Sequence, residues 1–207
     1  MKYFLSVCLI LVFSIGSNAQ QAQSVSLNLY GGYAFKDKVN IDNGFYTNID
    51  AGFDYGAGIE YFLQKTHSLE LRWMGMGTKL PLYGPTGNQL NKDNDEGSTN
   101  YILIGSTGYF GQGDKVKPYG GIGLGVGIVS VKDAGSTTKF AWDAKLGVKL
   151  KTSSSMSVNL QAYVKSVSAA VGSDLYLTYW GPVAFTDYAT IFQFGIGAAL
   201  CFNFKKK

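Results

Sequence analysis

The chain is poor in the residues that most often carry chemistry. Its 207 residues include 2 cysteines, 4 prolines and 1 histidine, and Arg72 is the sole arginine. With His67 the only imidazole, catalytic constellations are sparse. Beyond the N-terminal segment, no apolar stretch reaches the roughly 20 residues that a spanning helix requires. The net charge of +4 is modest, is dispersed along the chain and includes Lys205, Lys206 and Lys207, so it does not point to a nucleic-acid partner.

The first residues read as a targeting segment. Met1-Lys2 is followed by an apolar run from Tyr3 to Ile15 and by the small-x-small site Ser17-Asn18-Ala19. This is the layout of a cleaved signal peptide over 1–19, with a mature domain over 20–207. Cys8 lies inside the apolar run rather than at its end, which argues against a lipid-modified cysteine. Cleavage leaves Cys201 alone, so no intramolecular disulfide is expected.

Glycine and aromatic residues, by contrast, are abundant: the 27 glycines among 207 residues are nearly twice the usual share of about 7%, and 14% of residues are aromatic. They fall into alternating segments. In the last one, Phe192, Phe194, Ile196, Ala198, Leu200, Phe202 and Phe204 share a face. Ile191, Gln193, Gly195, Gly197, Ala199, Cys201 and Asn203 share the other, because successive strand side chains point to opposite sides. A soluble sandwich packs its large groups inward, whereas this pattern suits lipid outside and a crowded, mostly small or polar interior. Strands are expected at 24–35, 51–63, 68–78, 99–110, 117–131, 140–151, 156–168 and 188–204. The fourth is ambiguous, with apolar residues on both faces. Long links at 36–50, 79–98, 132–139 and 169–187 alternate with tight ones at 64–67, 111–116 and 152–155. Without spanning helices, only a closed barrel satisfies its backbone in hydrocarbon. The fold class expected is therefore all-β, an eight-stranded antiparallel up-and-down transmembrane β-barrel with four surface loops.

The run Lys117-Pro-Tyr-Gly-Gly-Ile-Gly-Leu-Gly-Val-Gly127 and the aromatic-ended last strand resemble those of the outer-membrane β-barrel domain family of Gram-negative bacteria, in particular the small eight-stranded OmpA/OmpX-type barrels. The Lys205–Lys207 tail departs from the many such barrels that end on an aromatic residue. The resemblance implies outer-membrane lipid and lipopolysaccharide as surroundings, the barrel-insertion machinery as a partner in biogenesis, a monomer, and no cofactor. It leaves the partner of the surface loops unspecified.

The inward charges form the candidate site. Asp54, Glu60, Glu70 and Arg72 lie on the second and third strands; Asp143, Lys145, Lys149 and Lys165 lie on the sixth and seventh. These strands face each other in a closed barrel of eight, whose interior is just wide enough for side chains to fill. Pairing across the lumen is expected, since buried charge is costly unless compensated. Arg72 is expected to clasp Glu60 or a neighbour through its planar fork. The competing use of the same charges is a narrow ion path.

Other motifs read as structural. Gly121, Gly123, Gly125 and Gly127 repeat with period two and lead into no helix, so they are expected to make room for long side chains from the opposite wall rather than to cradle a phosphate. His67-Ser68 is placed in a short turn, with adjacent side chains facing apart, which speaks against a hydrolase. Asn91, Asp93, Asp95 and Glu96 begin like a calcium loop, but Glu96 replaces the required glycine and Ile102 occupies position twelve. No catalytic, cofactor or metal residues are assigned. Tyr83, Tyr176, Tyr179, Trp180 and Phe185 are expected to anchor the rim at the membrane interface. The functional reading is a non-enzymatic outer-membrane protein with a structural, adhesive or sensing role; the alternatives are a small porin-like channel and a secreted lipocalin-like binder.

Overall fold

A computed structural model describes residues 24–204 except 41–43, 93, 112, 114, 133–134, 154, 171–176, 179–180 and 183–187. The segment expected to be a signal peptide, the lysine tail, and Tyr176, Tyr179, Trp180 and Phe185 lie outside the described residues. The strands in chain order are β1 (Val25–Ala34), β2 (Asp37–Asn40), β3 (Tyr46–Ile49), β4 (Gly52–Gln64), β5 (His67–Lys79), β6 (Leu82–Tyr83) and β7 (Glu96–Tyr109). They continue with β8 (Val116–Val131), β9 (Gly135–Lys151), β10 (Met156–Ala170), β11 (Leu177–Thr178), β12 (Gly181–Pro182) and β13 (Tyr188–Phe204).

Eight of these strands close into a barrel in the order β1-β13-β10-β9-β8-β7-β5-β4. All neighbouring pairs are antiparallel, and β1 seals against β13 through pairs from Val25↔Phe204 to Ala34↔Gly195. Closure leaves no sheet edge to be satisfied by water, which is the condition for crossing hydrocarbon. The stagger can be followed rung by rung. From Ala34 the partners run Gly195, Tyr163, Lys145, Gly121, Thr107, Ser68 and Phe62. The Phe62 amide then donates to the Ser24 carbonyl at 3.0 Å. One circuit thus moves the register from position 34 to position 24, ten residues. With the usual strand rise and spacing, eight strands at that stagger tilt by about 41° and enclose a backbone radius of about 8 Å. The interior is consequently a space for side chains.

Alternation sets the two faces as expected. Outward lie Phe53, Ile104, Ile122, Leu146 and Phe194, each more than 60% exposed, and this band is what lipid would cover. Edge-to-face contacts knit parts of it together, Tyr33 to Phe53 at 5.4 Å and Tyr55 to Trp73 at 5.6 Å. The fourth expected strand resolves into β7: Thr99, Tyr101, Leu103, Thr107 and Tyr109 are buried inward, while Ile102 and Ile104 are exposed.

The ends of the barrel differ. Short turns at 65–66, 110–115 and 152–155 share one end with the start of β1 and the end of β13, the periplasmic arrangement. A register shift between Phe62 and Gln64 bends β4 into the first of these turns. At the other end, β2, β3 and β6 form a separate three-stranded sheet. From it and the adjoining link, Val39, Ile49 and Leu80 join lumen-facing Met76, Val131 and Ile191 in one apolar cluster. One expectation is corrected here. The link expected at 132–139 shrinks to 132–134, since β8 and β9 stay paired out to Val131↔Gly135. Gly135 takes φ +95 there, which suits the absence of a Cβ. Tyr83 stacks on Tyr46 at 4.7 Å within the surface sheet.

A closed sheet of this kind resists SDS until heated. Refolded protein is expected to migrate differently on gels before and after boiling, and identical mobility would contradict closure.

Candidate functional site

The lumen holds a polar layer beneath the apolar one. Each inward charge is delivered by strand parity: Glu60 and Glu70 occupy one rung of the β4–β5 pair, and Asp143 sits beside Gly123 on β8. Lys145 sits beside Gly121, and Lys165 pairs with Asp143 along β10. Glycine is what lets these groups fit. A Cβ at Gly121 would lie 2.8 Å from Thr107 Oγ1 and 3.0 Å from Lys145 Cε, and one at Gly58 would lie 2.6 Å from Glu70 Oε1. At Gly123 it would strike Asp143 Oδ1. The expected role of the β8 glycines therefore needs one adjustment. The groups they admit come mainly from the adjacent strands β7 and β9 rather than from the opposite wall, because a side chain on the neighbouring rung leans over the empty position.

The ion pairs do cross the barrel. Arg72 on β5 reaches Asp143 on β9 with Nη2 at 2.5 Å from Oδ2, and its Nη1 lies 3.2 Å from Glu70 Oε2. Lys145 on β9 returns to Glu70 Oε2 at 2.8 Å. Nearer the extracellular end, Lys165 on β10 donates to both oxygens of Asp54 on β4, at 2.7 and 2.9 Å. Asp54, Glu60, Glu70, Arg72, Asp143, Lys145 and Lys165 are all buried.

One partner differs from expectation and another is narrowed. Of Glu60 or a neighbour, Arg72 takes the neighbours, bridging Glu70 and Asp143, and leaves Glu60 to neutral donors: Ser68 Oγ at 2.5 Å, Tyr109 OH at 2.6 Å and Asn28 Nδ2 at 3.1 Å. Three hydrogen bonds solvate that carboxylate in place of a cation. Lys149 makes no ion pair among the described residues, and this is the partner that differs; its ammonium lies 4.7 Å from the Phe62 ring centre and 5.1 Å from that of Tyr109, a cation–π arrangement.

The network also recruits residues outside the charge pattern. Tyr30 donates its hydroxyl to Glu70, Tyr163 donates to Asp54, and Asn28 Nδ2 reaches Glu70 Oε1 at 2.8 Å. Ser26, Asn28 and Tyr30 share the inward face of β1 by strand parity and are buried; their particular partners carry no trace in the sequence. Ser68 is another correction. It is the second residue of β5, buried and bonded to Glu60, rather than part of a turn. His67 points the other way, is exposed, and shares a 3.0 Å contact with Thr66 Oγ1.

The acidic surface loop is used internally. Asn91 Oδ1 accepts from the Leu82 amide at 2.8 Å, and Asp95 pairs with Lys79 at 3.3 Å. Glu96 pairs with Lys132 at 2.9 Å. Asp93 lies outside the described residues.

Known proteins place this architecture. No curated protein matches the sequence. Among solved structures, Neisserial surface protein A superposes with a TM-score of 0.59 at 13% identity, covering 87% of this chain and 97% of that one. The outer membrane protein OprG from Pseudomonas aeruginosa gives a TM-score of 0.56 at 13% identity, with 89% and 98% covered. At such identities the likeness is one of fold. The family model described as the outer membrane protein beta-barrel domain matches residues 7–198, and with its closed eight-stranded wall and lipid-facing band the chain belongs to that family of the bacterial outer membrane.

Proposed function

We propose that this protein is a non-enzymatic outer-membrane scaffold whose sealed barrel presents the β2–β3–β6 sheet and the remaining surface links outside the cell, in a structural, adhesive or sensing role. The observation that carries this reading is the filled lumen. Three cross-barrel cation–carboxylate connections occupy its middle, and an apolar cluster containing Ile49, Met76, Leu80 and Val131 lies above them. An ion would have to break the pairs and then cross the apolar layer, both unfavourable in a low-dielectric interior. Ser68 and Glu60 are 1% and 2% exposed and bonded to each other, which leaves that hydroxyl no access to a substrate.

The channel reading draws on one observation. Tyr101 OH, Asp143 Oδ1 and Gln193 Oε1 are buried without a protein partner, and such atoms are commonly met by internal water. Planar-bilayer recording separates the two readings. The scaffold is expected to give a silent bilayer; stable single-channel steps that change in Glu60→Gln or Lys149→Gln would establish transport instead.

A further inference from the structure

The two ends of the barrel handle lysine differently. At the extracellular end, Lys36 pairs with Asp50 at 2.9 Å, Lys79 with Asp95 at 3.3 Å and Lys132 with Glu96 at 2.9 Å. At the periplasmic end, Lys117 stands directly across from Lys149 on the β8–β9 ladder. Two residues further out, the Lys151 amide donates to the Lys115 carbonyl at 2.9 Å, which makes a second facing pair. All four share the lumen parity of Tyr119 and Lys145, opposite to Val116 and Leu150 between them. They therefore line the mouth of the barrel and turn away from the leaflet. Lys117 and Lys149 are half-buried, whereas Lys115 and Lys151 at the rim are exposed.

The wall across the mouth does not answer this charge. Strand order puts β1 and β4 opposite β8 and β9. Their inward residues at this end are Ser26, bonded to Asn28 at 3.1 Å, and Phe62. Glu60, the next inward position on β4, is buried and already held by Ser68, Tyr109 and Asn28. The three periplasmic turns contain one carboxylate, Asp114. Lys149 rests against Phe62 and Tyr109, and Tyr109 packs on both Phe62 and Tyr119, each at 5.6 Å. The mouth is thus a vestibule with an aromatic floor and a cationic wall. Lys115, Lys117 and Lys151 have no ion-pair partner among the described residues. Like charges on facing strand positions are destabilising, and two such rungs in succession call for an anion.

Width and donor type identify it. A backbone radius of about 8 Å, less the side chains inside it, admits a small ion or a single extended chain. A lipid surface or a globular face cannot enter. Facing residues on antiparallel strands lie about 5 Å apart and alternate residues about 7 Å along, so the four lysines rise from a patch of roughly that size. Each offers three donors on a flexible stem in place of arginine's planar fork. Such donors surround oxygens that point in several directions, as those of a phosphate do, whereas a planar carboxylate is better matched by a fork. The sequence that follows β13, Lys205-Lys206-Lys207, has the wrong sign to fill the mouth.

We propose that the periplasmic mouth is a binding site for a soluble phosphate-bearing anion, seated on Lys115, Lys117 and Lys151 with Phe62 and Tyr109 beneath it. The site goes beyond the scaffold reading, which concerns the opposite end of the barrel.

The test titrates inorganic triphosphate into the barrel in uncharged maltoside micelles and follows binding by isothermal titration calorimetry. Maltoside carries no phosphate, so binding there needs no lipid headgroup. One saturable site per barrel is expected. Its affinity should fall about tenfold for each lysine removed in Lys115→Gln, Lys117→Gln and Lys151→Gln, the usual worth of a hydrogen bond to a charged group. It should also weaken as salt rises. A control triple variant at the extracellular end, Lys36→Gln, Lys79→Gln and Lys132→Gln, removes the same formal charge and should bind as the wild type does. Absence of saturable binding, undiminished affinity in the mouth variant, or an equal loss in the control overturns the proposal. Two competitors fix the chemistry. Citrate, a multivalent carboxylate, is expected to bind more weakly than triphosphate, and equal or tighter binding would overturn the phosphate assignment. Tighter binding of an acidic peptide would overturn it too, by giving the mouth to a protein segment. If the triple variant lacks the heat-dependent gel shift of a closed barrel, the single variants Lys115→Gln and Lys151→Gln, at exposed positions, carry the comparison.

Discussion

Arg72→Met is expected to destabilise the barrel by about 3–5 kcal/mol, the cost of breaking a buried ion pair from one side. The reason lies in what the arginine leaves behind. Glu70 keeps Lys145 at 2.8 Å, Asn28 at 2.8 Å and the Tyr30 hydroxyl. Asp143 keeps no hydrogen bond or ion pair among the described residues, only the charge of Lys165 on the adjacent β10 rung, which is already bonded to Asp54: Arg72 is its ion-pair partner, and its Oδ1 already lacks a protein partner. The variant therefore leaves one buried carboxylate without its direct partner. Removing that carboxylate as well, in Arg72→Met with Asp143→Leu, should recover most of the loss, because a well-packed apolar pair can replace a buried ion pair at little net cost. Denaturant unfolding in detergent, followed by tryptophan fluorescence, gives both numbers. A wild-type midpoint for Arg72→Met would mean that water already screens the pair. Additive losses in the double variant would mean that the two residues do not act on each other.

The wall of this barrel was legible because its two solvents are so different. Where lipid meets the outer face, every second residue must be apolar, and β13 writes that rule without a break from Phe192 to Phe204. Legibility fades where the difference between the solvents fades. The first turn of β9, Gly135-Ser-Thr-Thr-Lys, alternates in nothing, and its pairing with β8 out to Val131 left no periodic trace. The short strands β2 and β3 were hidden for the same reason, inside a link rich in Lys, Asn and Asp. Within the lumen, the sign and approximate height of each charge followed from parity, so opposition between β4–β5 and β9–β10 was visible. The choice of partner was not. It depends on the ten-residue stagger, which carries Arg72 toward Asp143, and on neutral donors such as Tyr109 and Ser68 that make Glu60 independent of any cation. Strand parity cannot rank an arginine against a tyrosine for one carboxylate.

The second large effect concerns the outer face, and there the sign of the change carries the information. Ile122 projects outward from the middle of β8, is 63% exposed, and is flanked by Ser106 on β7 and Ala144 on β9. Ile122→Arg is expected to cost about 2–4 kcal/mol in a bilayer, the penalty for arginine near the midplane of an outer-membrane wall. Its neighbours Gly121 and Gly123 belong to the lumen, so no inward contact is lost and the penalty measures lipid exposure directly. The same substitution toward the periplasmic end, at Val116, places the guanidinium beside the headgroups and should cost about 0–1 kcal/mol. Reversible unfolding from vesicles measures the gradient between the two positions. A wall facing water would give the opposite result: an arginine replacing an exposed isoleucine would be neutral at both positions, because no charge would be taken out of water. Equal stabilities for Ile122→Arg and Val116→Arg would thus remove the lipid-facing band, and with it the physical basis for the sealed scaffold.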